Sequence, residues 1–187
     1  FIYFISFFSI VIEDIIESIR QEDFVLRSDI VLDRQLFDSH SVRCFLTEKA
    51  VFAVLKKYDF QKFVDFPCDG DYIWEQKDNG ILVYEGNRTY HEFDGLGYIK
   101  SQPSLIEIKS STLHGYAKKI SRAFNLGPVL FEERPIQLVF APFEHHKRSL
   151  VDRFEKEYEH MYCINTGWTK DEVTAATKDF YKYQKSL

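Results

Sequence analysis

The run Leu105-Ile106-Glu107-Ile108-Lys109 sets two opposite charges two residues apart inside an otherwise apolar stretch. Side chains alternate across a strand, so Glu107 and Lys109 point to one face. Leu105, Ile106 and Ile108 exclude a simply solvated strand. A chain that folds around this segment must cover it and still satisfy its acid and its base. An ordinary buried or edge salt bridge would do so, but an ion pair is a costly way to stabilise a strand. The segment therefore asks for a chemical use as well as a structural one.

Its surroundings predict a hairpin. His91-Glu92-Phe93-Asp94-Gly95 opens a strand expected over residues 91–100, and Ser101-Gln102-Pro103 separates it from the Glu107 strand. With Ser101 and Gln102 as a two-residue turn, Asp94 falls opposite Lys109, and Glu92, Asp94, Glu107 and Lys109 share a face. A bulge at Gly95 or Gly97 would move that register by one residue. Ile81 to Tyr84 is an earlier strand, with turn clusters at Asp69-Gly70-Asp71 and Asp78-Asn79-Gly80.

Before these strands, Thr47 is expected to cap a helix over 48–58 with Val51, Val54, Leu55 and Tyr58 on its apolar stripe. After them, Leu113, Tyr116, Ala117, Ile120 and Phe124 mark a helix that Gly127-Pro128 should stop. Pro135 to Phe143 reads as a buried strand. Helix, three strands, helix, strand is a mixed α/β order. Outside it, Ile12, Ile15, Ile16 and Ile19 predict an amphipathic helix over 8–21, and residues 24–37 are ambiguous. One C-terminal helix is expected from near Ser149 through Leu150, Phe154, Tyr158 and Met161. Another starts at the capping box Thr169-x-x-Glu172, with Val173, Ala176, Phe180 and Tyr181. No repeat or linker appears, so the expectation is one domain over 1–187. It comprises an extension (1–43), a core (44–143) and C-terminal helices (144–187).

Composition bounds the partners. The chain has 187 residues and a net charge of −5, which excludes a protein that coats nucleic acid by bulk charge but leaves room for a local basic groove. The 18 Phe and 11 Tyr read as core and groove material. Cys44, Cys68 and Cys163 form no C-x-x-C pair, so no zinc ribbon or disulfide framework is signalled, and reduced thiols in an intracellular protein are expected. Residues 1–12 are apolar, but lack a basic start and a cleavage site and are too short to span a membrane. A start at Phe rather than Met suggests a trimmed or incompletely defined N-terminus.

Carboxylates converging at one point repel each other and call for a hard divalent cation; magnesium takes oxygen ligands and keeps several waters. A lysine beside it can position the attacking water, and the metal charge offsets charge developing on a phosphate. The expected chemistry is hydrolysis of a phosphodiester. Asp94, a short hairpin and then Glu107-Ile108-Lys109, in the order helix, three strands, helix, strand, resembles the PD-(D/E)xK nuclease superfamily across about residues 44–143. Phe93 stands where the name-giving motif has Pro.

The resemblance implies a restriction-endonuclease-like core and a magnesium-dependent nuclease (manganese may substitute). Asp94, Glu107 and the Ile108 carbonyl would be the ligands, and Lys109 would assist the water. Many members add a glutamate from the first core helix. Glu48 is the candidate here, although a first-turn glutamate favoured by the helix dipole is the plainer reading. Glu92 reads equally as a further ligand or as a solvated strand residue.

Lys118, Lys119 and Arg122 are candidates for phosphate contact, or a solvated helix face, and Ser110 and Ser111 could bond phosphate or merely leave the strand. Gln137 reads best as a satisfied core amide. His145, His146 and His160 fit no standard metal spacing, and Asp69-x-Asp71 lacks the rest of a calcium loop. The cysteines are too dispersed for the family branch with an iron–sulfur cluster. The expected function is a DNA endonuclease, intracellular, cytoplasmic or nucleoid-associated. The alternatives are a non-catalytic binding module of the same fold and an RNA endonuclease. A homodimer would allow both strands of a duplex to be cut, with residues 1–12 as a candidate surface, and no membrane partner is expected.

Overall fold

The computed structural model describes residues 14–15, 17–18, 39–67, 70–77, 80–109, 117–131, 135–141, 156, 160–165 and 169–186. The expectations for residues 1–12, 24–37, Ser110, Ser111, Cys68, His145 and His146 lie outside these residues, as does most of the helix expected over 8–21.

The chain is α/β. Helix α1 spans Ser39–Lys57, α2 Ala117–Leu130 and α3 Lys170–Ser186. The strands are β1 (Phe60–Lys62), β2 (Tyr72–Lys77), β3 (Gly80–Glu85), β4 (Arg88–Phe93), β5 (Gly95–Ile99), β6 (Gln102–Ile108), β7 (Ile136–Ala141) and β8 (Met161–Asn165). A five-stranded sheet runs β1-β5-β6-β7-β8, and a smaller sheet runs β2-β3-β4. The first three strands of the larger sheet are antiparallel, and β6, β7 and β8 are parallel.

Strand β6 is the centre of this sheet and is buried from Pro103 to Ile108. Its alternation divides the core. Ile106 and Ile108 join Val51, Val54 and Leu55 of α1, Ile99, Ile164, and Val173 of α3. Leu105 faces the other way, into Ile81, Val83, Phe93, Leu96, and Ala123 and Leu126 of α2. Each such fully buried aliphatic side chain contributes about 1.5–3 kcal/mol. The small sheet thus covers the second face together with α2, and Val42, Leu46 and Phe180 tie α1 to α3.

Several sequence expectations are corrected. Helix α1 begins eight residues before Thr47, whose hydroxyl donates to the Arg43 carbonyl at 2.8 Å instead of capping. The apolar residues Val42 and Leu46 extend the buried stripe N-terminally, and packing on Phe180 outweighs the cap signal. The strand expected over 91–100 is two strands: the chain leaves the small sheet after Phe93, bends at Asp94 and enters the large sheet at Gly95.

The hairpin turn is Lys100-Ser101 rather than Ser101-Gln102. Both have positive φ (47° and 69°), the backbone that a two-residue hairpin turn needs. Ile99 pairs Gln102 and Gly95 pairs Ile106, so one further step sets Asp94 against Glu107, not Lys109.

Helix α2 also continues past Gly127 to Leu130 with Pro128 inside it. Pro128 forfeits one amide donor two residues from the helix end, and the next turn is still closed by the Phe131 amide donating to the Gly127 carbonyl at 3.0 Å. Met161 starts strand β8 rather than ending a helix, because parallel pairing with β7 claims its backbone. Strands β1, β2 and β8 had no clear sequence signal. The Thr169 capping box is present as expected: the Glu172 amide donates to Thr169 Oγ1 at 3.2 Å, and the Thr169 amide donates to Glu172 Oε2 at 2.6 Å.

Candidate active site

Asp94 sits at the bend between the two sheets, and Glu107 and Lys109 lie at the end of the central strand. The Ile108 amide donates to Asp94 Oδ2 at 2.5 Å, which pins the bend to β6. This bond uses the Ile108 N–H; the ligand expected from the sequence is the carbonyl of the same residue. Glu107 is fully buried. Its Oε1 accepts from His91 Nε2 at 3.0 Å, and its Oε2 faces Lys109 Nζ at 3.3 Å in an ion pair that lacks hydrogen-bond geometry.

The carboxyls of this cluster are driven in different directions. Burial raises Asp94 from 3.8 to about 7, helped by the neighbouring Glu107; Lys109 and the Ile108 amide oppose this without reversing it. Burial would also raise Glu107, but the His91 hydrogen bond, Lys109 and Lys119 outweigh it and hold the carboxyl below its ordinary value. Burial works against the Lys109 ammonium, yet Glu107, Asp94 and Glu92 outweigh it and raise the lysine.

Glu48 is also brought to this corner. It lies in the third turn of α1, so the helix-dipole reading no longer applies. Burial raises it from 4.5 to about 7, against the pull of Lys49 and Lys109 and with a further push from Glu92. Glu92 is exposed on β4 and reaches the cluster through its charge, unlike that of Lys109 and like that of Glu48.

The basic candidates divide. Lys119 is near enough to act on Glu107, and Lys118 is exposed. Arg122 donates from Nη1 to the Tyr90 carbonyl at 2.9 Å and lies over the Tyr90 ring, so its guanidinium is directed at β4. Gln137 lies on β7. Cys44 and Cys163 form no disulfide.

Two groups of residues had no role in the sequence reading. His91 is 3% exposed, and its Nδ1 is buried without a hydrogen-bond partner. Its position on a strand facing Phe93 was legible, but its contact with Glu107, sixteen residues on, was not. The second group is Lys49, Lys56 and Lys62, which line a cavity of about 300 Å³ that has Glu48 and Asp94 on its wall. Lys49, Phe52 and Lys56 recur at helical spacing, a signal that was available.

Among the described residues, no three His, Cys, Asp or Glu side chains are grouped to hold a metal. Two carboxylates do approach each other. Glu107 Oε2 is a buried oxygen with no hydrogen bond, and Lys109 compensates the Asp94 acid only in part. A magnesium ion is commonly bound through one or two carboxylates and keeps waters, so this donor chemistry fits one.

The chain matches no family model and no curated protein. Among solved structures, it resembles protein VC1899 from Vibrio cholerae at 16% identity and a TM-score of 0.37, over 56% of this chain and 26% of that one. The chain therefore spans about a quarter of that protein's length. Among the described residues, no helix is long and apolar enough to cross a membrane.

Proposed function

We propose that this chain is a magnesium-dependent nuclease with a restriction-endonuclease-like core, acting on DNA inside the cell. One observation carries the reading: Asp94 from the inter-sheet bend meets Glu107 and Lys109 from the buried central strand, with the Ile108 amide fixing the bend. Magnesium bound by Asp94 and Glu107 would neutralise phosphate charge and acidify a water; manganese would substitute. The protein's part is positional. Ile108 orients Asp94 and His91 orients Glu107. Lys109, held charged by its acidic neighbours, can hold the attacking water by a hydrogen bond. Glu48, an acid with a pKa of about 7 beside the cluster, is suited to exchange a proton with that water.

Asp94→Ala, Glu107→Ala and Lys109→Ala should each abolish metal-dependent cleavage of plasmid DNA, with circular dichroism checking that the fold persists. Undiminished cutting in any two of them would sink the assignment. Parallel assays on single-stranded RNA, duplex DNA and branched DNA decide between DNA and RNA. Gel filtration with light scattering tests for a homodimer.

A non-catalytic module is the second reading, and the engagement of Glu107 by both His91 and Lys109 favours it. Calorimetric titration with manganese separates the two, since only the nuclease needs a site that depends on Glu107.

A further inference from the structure

The lining of the cavity beside Asp94 combines three chemistries. Glu48 and Asp94 supply acids, Lys56 and Lys62 supply bases, and Phe52, Phe60 and Phe63 supply aromatic rings. Lys56 and Lys62 are exposed and, among the described residues, form no ion pair. Lys49 leans over the Phe45 ring at 5.2 Å. The three phenylalanines are half-buried, and the Phe52 and Phe60 rings lie 5.8 Å apart. Gly95 lets Phe52 approach Asp94, because a Cβ at residue 95 would stand 2.8 Å from the ring.

Unpaired lysines on a chain of net charge −5 mark a local preference for anions that the whole molecule does not share. Aromatic rings in the same lining as those lysines suit flat rings strung on a charged backbone. A cavity of about 300 Å³ is at the lower end of small-ligand sites, far smaller than a duplex needs. Stacked bases in a duplex also do not present their faces to a wall, whereas an unpaired strand does.

We infer that this groove takes a single-stranded stretch of nucleic acid, with phosphates on Lys56 and Lys62 and an unstacked base against Phe52 and Phe60. The inference rests on the nuclease reading for the nature of the polyanion and adds the strand state of its substrate.

The test is fluorescence anisotropy with the full chain in EDTA, where nothing is cut. The probes are a labelled oligo-dT 15-mer and a duplex of the same length. The single strand should bind at least tenfold tighter than the duplex. Lys56→Ala with Lys62→Ala should weaken it about tenfold and lower the salt slope by about 1.4, the value for two phosphate contacts on a single strand. Phe60→Leu should weaken binding and leave the salt slope unchanged. Equal affinity for the duplex, unchanged binding in the double variant, or equal competition by a polyglutamate peptide would each overturn the inference. Cleavage with magnesium is read separately on the same probes. Cutting without single-strand preference defeats this inference alone, and preference without Asp94-dependent cutting defeats the nuclease reading alone.

Discussion

Asp94 and Glu107 are neighbouring carboxyls across one hairpin, yet their surroundings treat them in opposite ways. Glu107 lies on the side of β6 facing β4 and α2, where His91, Lys109 and Lys119 keep it charged. Asp94 lies at the bend facing α1 and the cavity, where burial and Glu107 push it to about 7 and one amide is its direct donor. Burial raises both; Asp94 has like-charged neighbours in Glu107 and Glu48, and fewer cationic and donor partners. The Glu107 side is already compensated by protein, and the Asp94 side is left short of positive charge. That deficit is where a cation gains most, and it makes metal binding and stability two readings of one arrangement.

Removing Glu107 should have the largest effect. Glu107→Ala takes the closest acid from the half-buried Lys109 and the Nε2 partner from buried His91, so the loss of stability should be about 3 kcal/mol in urea unfolding, together with loss of cleavage. Asp94→Asn should separate the two properties. Cleavage should fall about 10³-fold with the loss of a metal ligand, but the metal-free protein at pH 8 should gain about 1–3 kcal/mol, because an isosteric neutral group replaces a buried charge. A variant that is destabilised at pH 8 would show that Asp94 is compensated like Glu107.

The pH dependence should follow the same division. Asp94 and Glu48 have raised folded values, so the stability they contribute is full below about pH 4 and is lost as pH rises through about 7. Glu107 is depressed, so its contribution is present above its ordinary value and is lost as pH falls below that. Between pH 5 and 8 the first effect dominates: the metal-free melting temperature should fall, magnesium should restore it at pH 8, and Asp94→Asn should flatten the profile. A calorimetric melting temperature that climbs over this range would contradict the assignment.

His91→Ala should cost less. It frees Glu107 Oε1, so manganese affinity should drop about tenfold in titration calorimetry, as for other groups that orient a ligand. Thr169→Ala, remote from both carboxyls, should cost about 1 kcal/mol equally at pH 5 and pH 8.

Much of the site was legible because it is local. Glu107 and Lys109 share a strand, and period-two alternation among apolar neighbours gave their common face without a fold. The capping box of α3 is likewise local: Thr169 and Glu172, three residues apart, satisfy each other. The start of α1 was misread because Thr47 resembles a cap, and nothing within a few residues reveals that Val42 and Leu46 pack on Phe180. The hairpin turn was placed one residue late, which moved the partner of Asp94 by two residues, because Lys100 and Ser101 are not glycines, yet both adopt positive φ. His91 and the lysine wall stayed hidden because their partners come from other elements.

By itself, the sequence determined an α/β chain with an acid–base pair on a covered strand, and a hairpin that would bring a second acid near it. These follow from periodicity and turn chemistry, which act over a few residues. Only the tertiary structure decided that Asp94 opposes Glu107, that His91 closes on Glu107, and that Glu48 and three lysines border the same cavity. Such contacts depend on how two sheets and a helix pack. The electrostatic difference between two like residues arises from that packing, since a carboxyl's charge is set by what lies beside it in space.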